Sequence, residues 1–197
     1  ATLNGSSQTV ETTFVSATAD AEITADNLII SPDNAAANGT ARNGVTATVT
    51  NDAGNVVSGA EVTFSVSSGA TVTTLTGTTG ADGKATAAVT SLIAGSYTVT
   101  ASVNGRATTK TTTFIADAST ATITSSNMVV TTDNSPANGT DQNRLQVRVT
   151  DANGNSVPGA TVSFAGTAGA TLTASTGTTN QSGETTVALT STTAGTY

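Results

Sequence analysis

A gapless internal repeat constrains this chain more than any other feature. Laid against itself at an offset of 100 residues, the 197-residue sequence matches at landmark after landmark. Asn38-Gly39-Thr40 recurs as Asn138-Gly139-Thr140, Gly59-Ala60 as Gly159-Ala160, Gly69-Ala70-Thr71 as Gly169-Ala170-Thr171, and Ala94-Gly95 with Tyr97 as Ala194-Gly195 with Tyr197. The opening residues fall in the same register, since Asn4-Gly5 matches Asn104-Gly105 and Thr12-Thr13-Phe14 matches Thr112-Thr113-Phe114. The register divides the chain into residues 1–19, the C-terminal strand of an upstream repeat; 20–119, one complete repeat; and 120–197, a repeat lacking its last strand. A fold of about one hundred residues therefore has to close on itself within each copy.

Alternation within a copy supplies the elements of that fold. Val45, Ala47 and Val49 alternate with Thr, and Leu145, Val147 and Val149 alternate with Gln146, Arg148 and Thr150. This is the period of a strand with one face inside and one in water. Val62-Phe64-Val66, Ala85-Ala87-Val89 and Tyr97-Val99-Ala101-Val103 repeat it. Between them stand turn sequences such as Asn51-Asp52-Ala53-Gly54-Asn55 and Ala81-Asp82-Gly83, where Gly and Asn accept the positive φ of tight turns. About seven short strands per hundred residues predict an immunoglobulin-like β-sandwich. The chain is all-β, and the short junction from Phe114 to Thr122 predicts tandem sandwiches in a stiff, elongated rod. Each repeat adds roughly 35–40 Å, from about ten residues at about 3.4 Å each.

Composition narrows the chemistry. With neither Cys nor His among the 197 residues, disulfides, thiolate metal sites, cysteine nucleophiles and a Ser-His-Asp triad are all excluded. A net charge of −7 with six scattered Lys and Arg offers no phosphate-binding surface, so nucleic acid is not an expected partner. Aromatics at 3% are too sparse to line a sugar site. No catalytic, cofactor-binding or metal-ligating residue is assigned, no cofactor is expected, and the chain is read as non-enzymatic.

Several residues invite more specific readings. Asp151-Ala152-Asn153-Gly154-Asn155 opens like a calcium loop, but Ser156 stands where such a loop needs Gly and Val162 where it needs a bidentate Glu. It reads as a hairpin turn whose Asp and Asn bond their own backbone. Asp33 and Asp133, matching in sign and position, fit either turn chemistry or a weak calcium site between repeats, with the turn preferred. Lys84 meets Glu184 and Lys110 meets Val10 at the other copy's positions, so both lysines read as solvated charges and not as partners in a Lys-Asn cross-link. Tyr97 and Tyr197 alternate with core positions and read as core or corner residues.

The run Val49-Thr50-Asn51-Asp52-Ala53-Gly54-Asn55-Val56-Val57-Ser58-Gly59-Ala60-Glu61-Val62-Thr63-Phe64 resembles the "V-x-D-x-x-G-N-P-V-x-G-x-x-V-x-F" signature of the bacterial Ig-like (group 1) repeats of intimin and invasin. Val149 to Phe164 is similar and keeps the acid as Asp151, whereas the first copy has Asn51; proline occurs in this region only as Pro158. Gly83-Lys84-Ala85 and Ala94-Gly95-Ser96-Tyr97-Thr98-Val99-Thr100-Ala101 resemble the later elements of the family. The resemblance implies the extracellular part of a bacterial outer-membrane adhesin, held by a β-barrel anchor outside this sequence. The implied function is a stalk that presents an adhesive tip. The alternative is that the repeats themselves bind a host cell-surface receptor or self-associate between cells. Loops that differ between copies, such as Arg42-Asn43 and Gln142-Asn143, fit that alternative as well as they fit drift. A third reading is an Ig-like domain of a phage or surface-layer protein. Because residues 1–18 match the segment that follows Tyr97 in the first copy, head-to-tail strand exchange between molecules is also expected to be open to the chain.

Overall fold

A computed structural model describes residues 2–15 and 18–197; the reading of 1–19 as one strand thus falls partly outside the described residues. A small hairpin, β1 (Thr2–Leu3) and β2 (Ser6–Ser7), opens the chain. Residues 8–15 follow without regular structure and exposed, Phe14 at 94%.

Two sandwiches follow, built from strands joined by tight turns; among the described residues the only helical elements are 3-10 turns, at Ala25–Asn27, Ala118–Thr120 and Ser125–Asn127. In the first, β3 (Leu28–Ile30), β5 (Asn43–Thr48), β8 (Lys84–Ser91) and β7 (Ala70–Thr76) form a four-stranded sheet in the order β3-β5-β8-β7. Against it packs a second sheet of four strands, β4 (Ala35–Ala36), β10 (Arg106–Ile115), β9 (Gly95–Val103) and β6 (Thr63–Val66), in the order β4-β10-β9-β6. All pairings are antiparallel except β4 on β10, which is parallel and aligns Ala35 with Phe114.

The expected alternation sets the core. Val45 and Ala47 of β5, Ala85, Ala87 and Val89 of β8, and Tyr97, Val99, Ala101 and Val103 of β9 all point inward, closed by Leu28 and Phe114. Tyr97 and Phe114 meet edge-on, ring centroids 6.0 Å apart and planes at 73°, an arrangement that aromatic quadrupoles favour. The Tyr97 hydroxyl donates to the Ile93 carbonyl at 2.8 Å and meets Ser91 Oγ at 3.0 Å, which makes this tyrosine a corner post. Gly69, at φ +97°, lies where any Cβ would come within 3.0 Å of the Tyr97 ring, and this close approach requires glycine.

The second sandwich repeats the plan. β11 (Met128–Thr132), β12 (Asn143–Arg148), β16 (Glu184–Thr190) and β14 (Thr171–Leu172) form one four-stranded sheet. β13 (Thr161–Ser163) pairs with β15 (Thr176–Thr178). Its core is Val147, Val149, Val157 and Val162. Here Tyr197 keeps its corner hydrogen bond, donating to Thr193 O at 2.7 Å, yet it is 42% exposed where Tyr97 is 7%. The ring that covers Tyr97, that of Phe114, has no counterpart on it among the described residues.

Candidate functional site

Strand direction decides which loops face each other. β5 runs from Asn43 to Thr48 and β8 returns from Lys84, opposite Thr48, to Ser91. Asn38 and Leu92-Ile93-Ala94 therefore share one end of the first sandwich, and Asn51–Asn55 lies at the other. The same geometry in the second sandwich puts Asp151–Asn155 at the end that faces Asn38 and Leu92–Ala94. The two repeats meet head to tail, and Asp151–Asn155 is the plug between them.

Each side chain of that plug has a defined task. Asp151 Oδ1 accepts from the backbone N–H of Asn153 at 2.9 Å and of Asn155 at 2.8 Å, closing the turn. Asp151 Oδ2 accepts from the Asp117 N–H at 2.9 Å and from Asn155 Nδ2 at 2.9 Å. Asn155 in turn spans the joint, its Oδ1 accepting from Ala94 N at 2.8 Å and its Nδ2 donating to Leu92 O at 3.0 Å. Asn153 Nδ2 donates to Ala37 O at 3.0 Å, and the Ala152 N–H donates to Thr120 Oγ1 at 3.1 Å. From the first sandwich Asn38 Nδ2 reaches Asp117 Oδ2 at 3.2 Å. Beside this polar set, Ala116 of the junction packs on the second core. Hydrogen bonds of this kind contribute roughly 0.5–1.5 kcal/mol each, more where the acceptor is charged. Together they bond the two repeats to each other.

The electrostatics agree with the geometry. Burial of Asp151 opposes its ionisation, but the hydrogen bonds from Asn155, Asp117 and Asn153 outweigh it and hold the carboxyl below its ordinary range. Asp117 is likewise held low, by Ser119 first and Asn38 second.

The turn expected at Asp151–Asn155 is thus present, and its second task, reaching across to the preceding repeat, is what the sequence did not disclose. Asp33 serves its own repeat: its Oδ1 accepts from Thr112 Oγ1 at 2.8 Å and Thr113 N at 2.9 Å, clamping β10 to the sheet edge. Burial raises the Asp33 pKa less than these bonds and the one from Asn34 N lower it, so the net shift is downward. Asp133 instead caps Asn134 N at 2.9 Å. Asn43, read as part of a variable loop, is fully buried; it accepts from Ala35 N at 2.9 Å and donates to Thr112 Oγ1 at 2.7 Å and Thr113 O at 2.8 Å. Its recurrence as Asn143 was the available signal. Lys84 and Lys110 are exposed. Among the described residues, no three Asp and Glu side chains come together as a metal would need.

The sequence profile of the bacterial Ig-like domain (group 1) family matches residues 25–115 and 125–197. The inverse autotransporter adhesin YeeJ of Escherichia coli (strain K12) is 34% identical over 166 residues, 82% of this chain and 7% of that adhesin, so the chain spans a small part of its relative's length. Among solved structures, InvD of Yersinia pseudotuberculosis is similar over 89% of this chain and 50% of its own, at 22% identity and a TM-score of 0.60, a likeness of fold. The D0-D1 domain of intimin is 28% identical, covering 84% of this chain and 87% of its own, with a TM-score of 0.39. Two copies of one sandwich plan, one repeat signature in each and a sequence relative among adhesins converge: the chain belongs to the bacterial Ig-like domain (group 1) family.

Proposed function

We propose that this chain is the stalk, or presentation part, of a bacterial cell-surface adhesin, non-enzymatic and projected from the outer membrane by an anchor that the resemblance implies. Residues 20–119 act as one repeat and 120–197 belong to the next. The observation that carries this reading is the hydrogen-bonded joint, in which Asn153 and Asn155 grip Ala37, Leu92 and Ala94 of the preceding repeat. A junction that binds its neighbours by both backbone and side chain transmits position and resists bending, which is what presentation requires. The adhesin relative supports the setting. In the deciding experiment the labelled chain is offered to host cells and to immobilised copies of itself, with an unrelated Ig-like array as control. No saturable binding above control is expected; saturable, competable binding would overturn the stalk assignment and make the repeats themselves the adhesive part.

One observation favours self-association as a second reading. In the first repeat Thr112, Thr113 and Phe114 cover Asp33, Asn43 and Tyr97. In the second, Asp133, Asn143 and Tyr197 line a groove, and Thr12-Thr13-Phe14 repeats the residues that Thr112-Thr113-Phe114 places against their counterparts in the first. Strand exchange between two copies would use both. Concentration-dependent head-to-tail oligomers in sedimentation, lost on deleting residues 1–18, are its expected signature; monomers at every concentration would sink it.

A further inference from the structure

We infer that the residues at positions 151 and 153 set the grade of the joint ahead of a repeat, so that the copies carry the chemistry for a tight joint at Asp151 and Asn153 and for a loose one at Asn51 and Ala53. The two plugs make the same turn. Asn51 Oδ1 accepts from Ala53 N at 3.1 Å and Asn55 N at 2.9 Å, as Asp151 Oδ1 does from Asn153 N and Asn155 N. The turn therefore needs one side-chain oxygen, which Asn and Asp both supply.

The second atom separates them. In Asp151 it is Oδ2, an acceptor, and it takes the linker N–H of Asp117 and the amide of Asn155. By taking Asn155 Nδ2 it fixes which way that amide points, so that Oδ1 meets the Ala94 N–H and Nδ2 meets the Leu92 carbonyl. In Asn51 the second atom is an NH₂ group, which can accept neither bond. An Asn at this place would set donor against the Asp117 N–H and donor against the Asn155 amide, turning the amide away from both of its partners across the joint. Position 153 adds a direct bond from Asn153 Nδ2 to Ala37 O, for which Ala53 has no atom. Asn55, present in both copies, loses the partner that orients it.

Joint stiffness matters to function if the repeats act as a stalk, and on that reading this proposal rests. The test exchanges the plug residues between copies within the whole chain. Asp151→Asn with Asn153→Ala gives the second repeat the residues that the first carries at positions 51 and 53, where one side-chain oxygen closes the turn, so the turn survives. Backbone dipolar couplings in an aligned medium fit one tensor for both repeats in the unaltered chain and two distinct tensors in the double variant. Hydrogen exchange at the Ala94 amide rises roughly tenfold or more, as loss of a charge-assisted set implies. Exchange within β12 and β16 stays unchanged, which separates loosening from unfolding. The reciprocal Asn51→Asp with Ala53→Asn leaves the joint at Asp117 as it was. A single tensor or an unchanged Ala94 exchange rate in the first variant overturns the assignment, as does loosening by the reciprocal one. Binding of the repeats to cells overturns the stalk reading and leaves these joint measurements standing, so the two failures are distinguishable.

Discussion

At the scale of the residue, short polar side chains do the work that disulfides or large aromatics do in other small sandwiches. Asp33 illustrates it, holding Thr112 and Thr113 of β10 through one oxygen. Its carboxyl is held below the ordinary 3.8, since the hydrogen bonds outweigh burial. A folded-state pKa lower than the unfolded one gives stabilisation that is fully present above the unfolded value and fades as pH falls through the folded value. Melting temperature should thus be flat from neutral pH down to about 5 and fall below about 4, where unfolded carboxylates begin to take up protons. Thermal unfolding followed across that range checks it. Asp33→Asn should lower the neutral plateau and shrink the acid fall; a fall of unchanged size would mean that other carboxylates, Asp151 first among them, carry the linkage.

At the scale of the element, β10 shows how one strand completes a repeat. It pairs antiparallel with β9 along nearly its whole length, takes β4 in parallel at its far end and brings Phe114, 1% exposed, onto Tyr97. Phe114→Ala should cost about 3–5 kcal/mol, the usual range for emptying a buried phenylalanine site. Phe14→Ala, at the matching position but 94% exposed, should leave the denaturant midpoint of the monomer unchanged; comparing the two midpoints checks both. The strands themselves were legible to different degrees. β5, β6, β8 and β9 were visible because Val, Ala, Phe and Tyr recur at every second position, mostly with Thr or Ser between them. β7, Ala-Thr-Val-Thr-Thr-Leu-Thr, and most of β10, Arg-Ala-Thr-Thr-Lys-Thr-Thr-Thr, were hidden because Thr occupies both faces and the period of two vanishes. The short junction was legible, but the bonds made across it were not. Asn153 and Asn155 meet partners 116, 63 and 61 residues away, and no local pattern marks an amide that bonds across such a distance.

At the scale of the whole molecule, the means of holding repeats together determines what the environment can do to them. Among the described residues one ion pair is present, Arg106 with Glu22 at 3.5 Å, and it is exposed and internal to the first repeat. The joint instead relies on amides, backbone groups and the carboxylates of Asp117 and Asp151, with no cationic side chain in the hydrogen-bonded set. Salt screens separated charges over about 10 Å at 0.1 M and about 3 Å at 1 M, but barely affects hydrogen bonds made at contact. The angle between repeats should accordingly be insensitive to ionic strength. Small-angle scattering of the monomer between about 0.05 and 1 M NaCl should return the same maximum dimension and the same pair-distance profile, within error. A joint dependent on long-range charge would respond: with a net charge of −7, repulsion between repeats relaxes as salt rises, and the profile would broaden toward bent forms. Constancy across that range means the joint's stiffness is set by the fit of the plug, so that its residues, and not the medium, decide how far and in which direction the next repeat is carried.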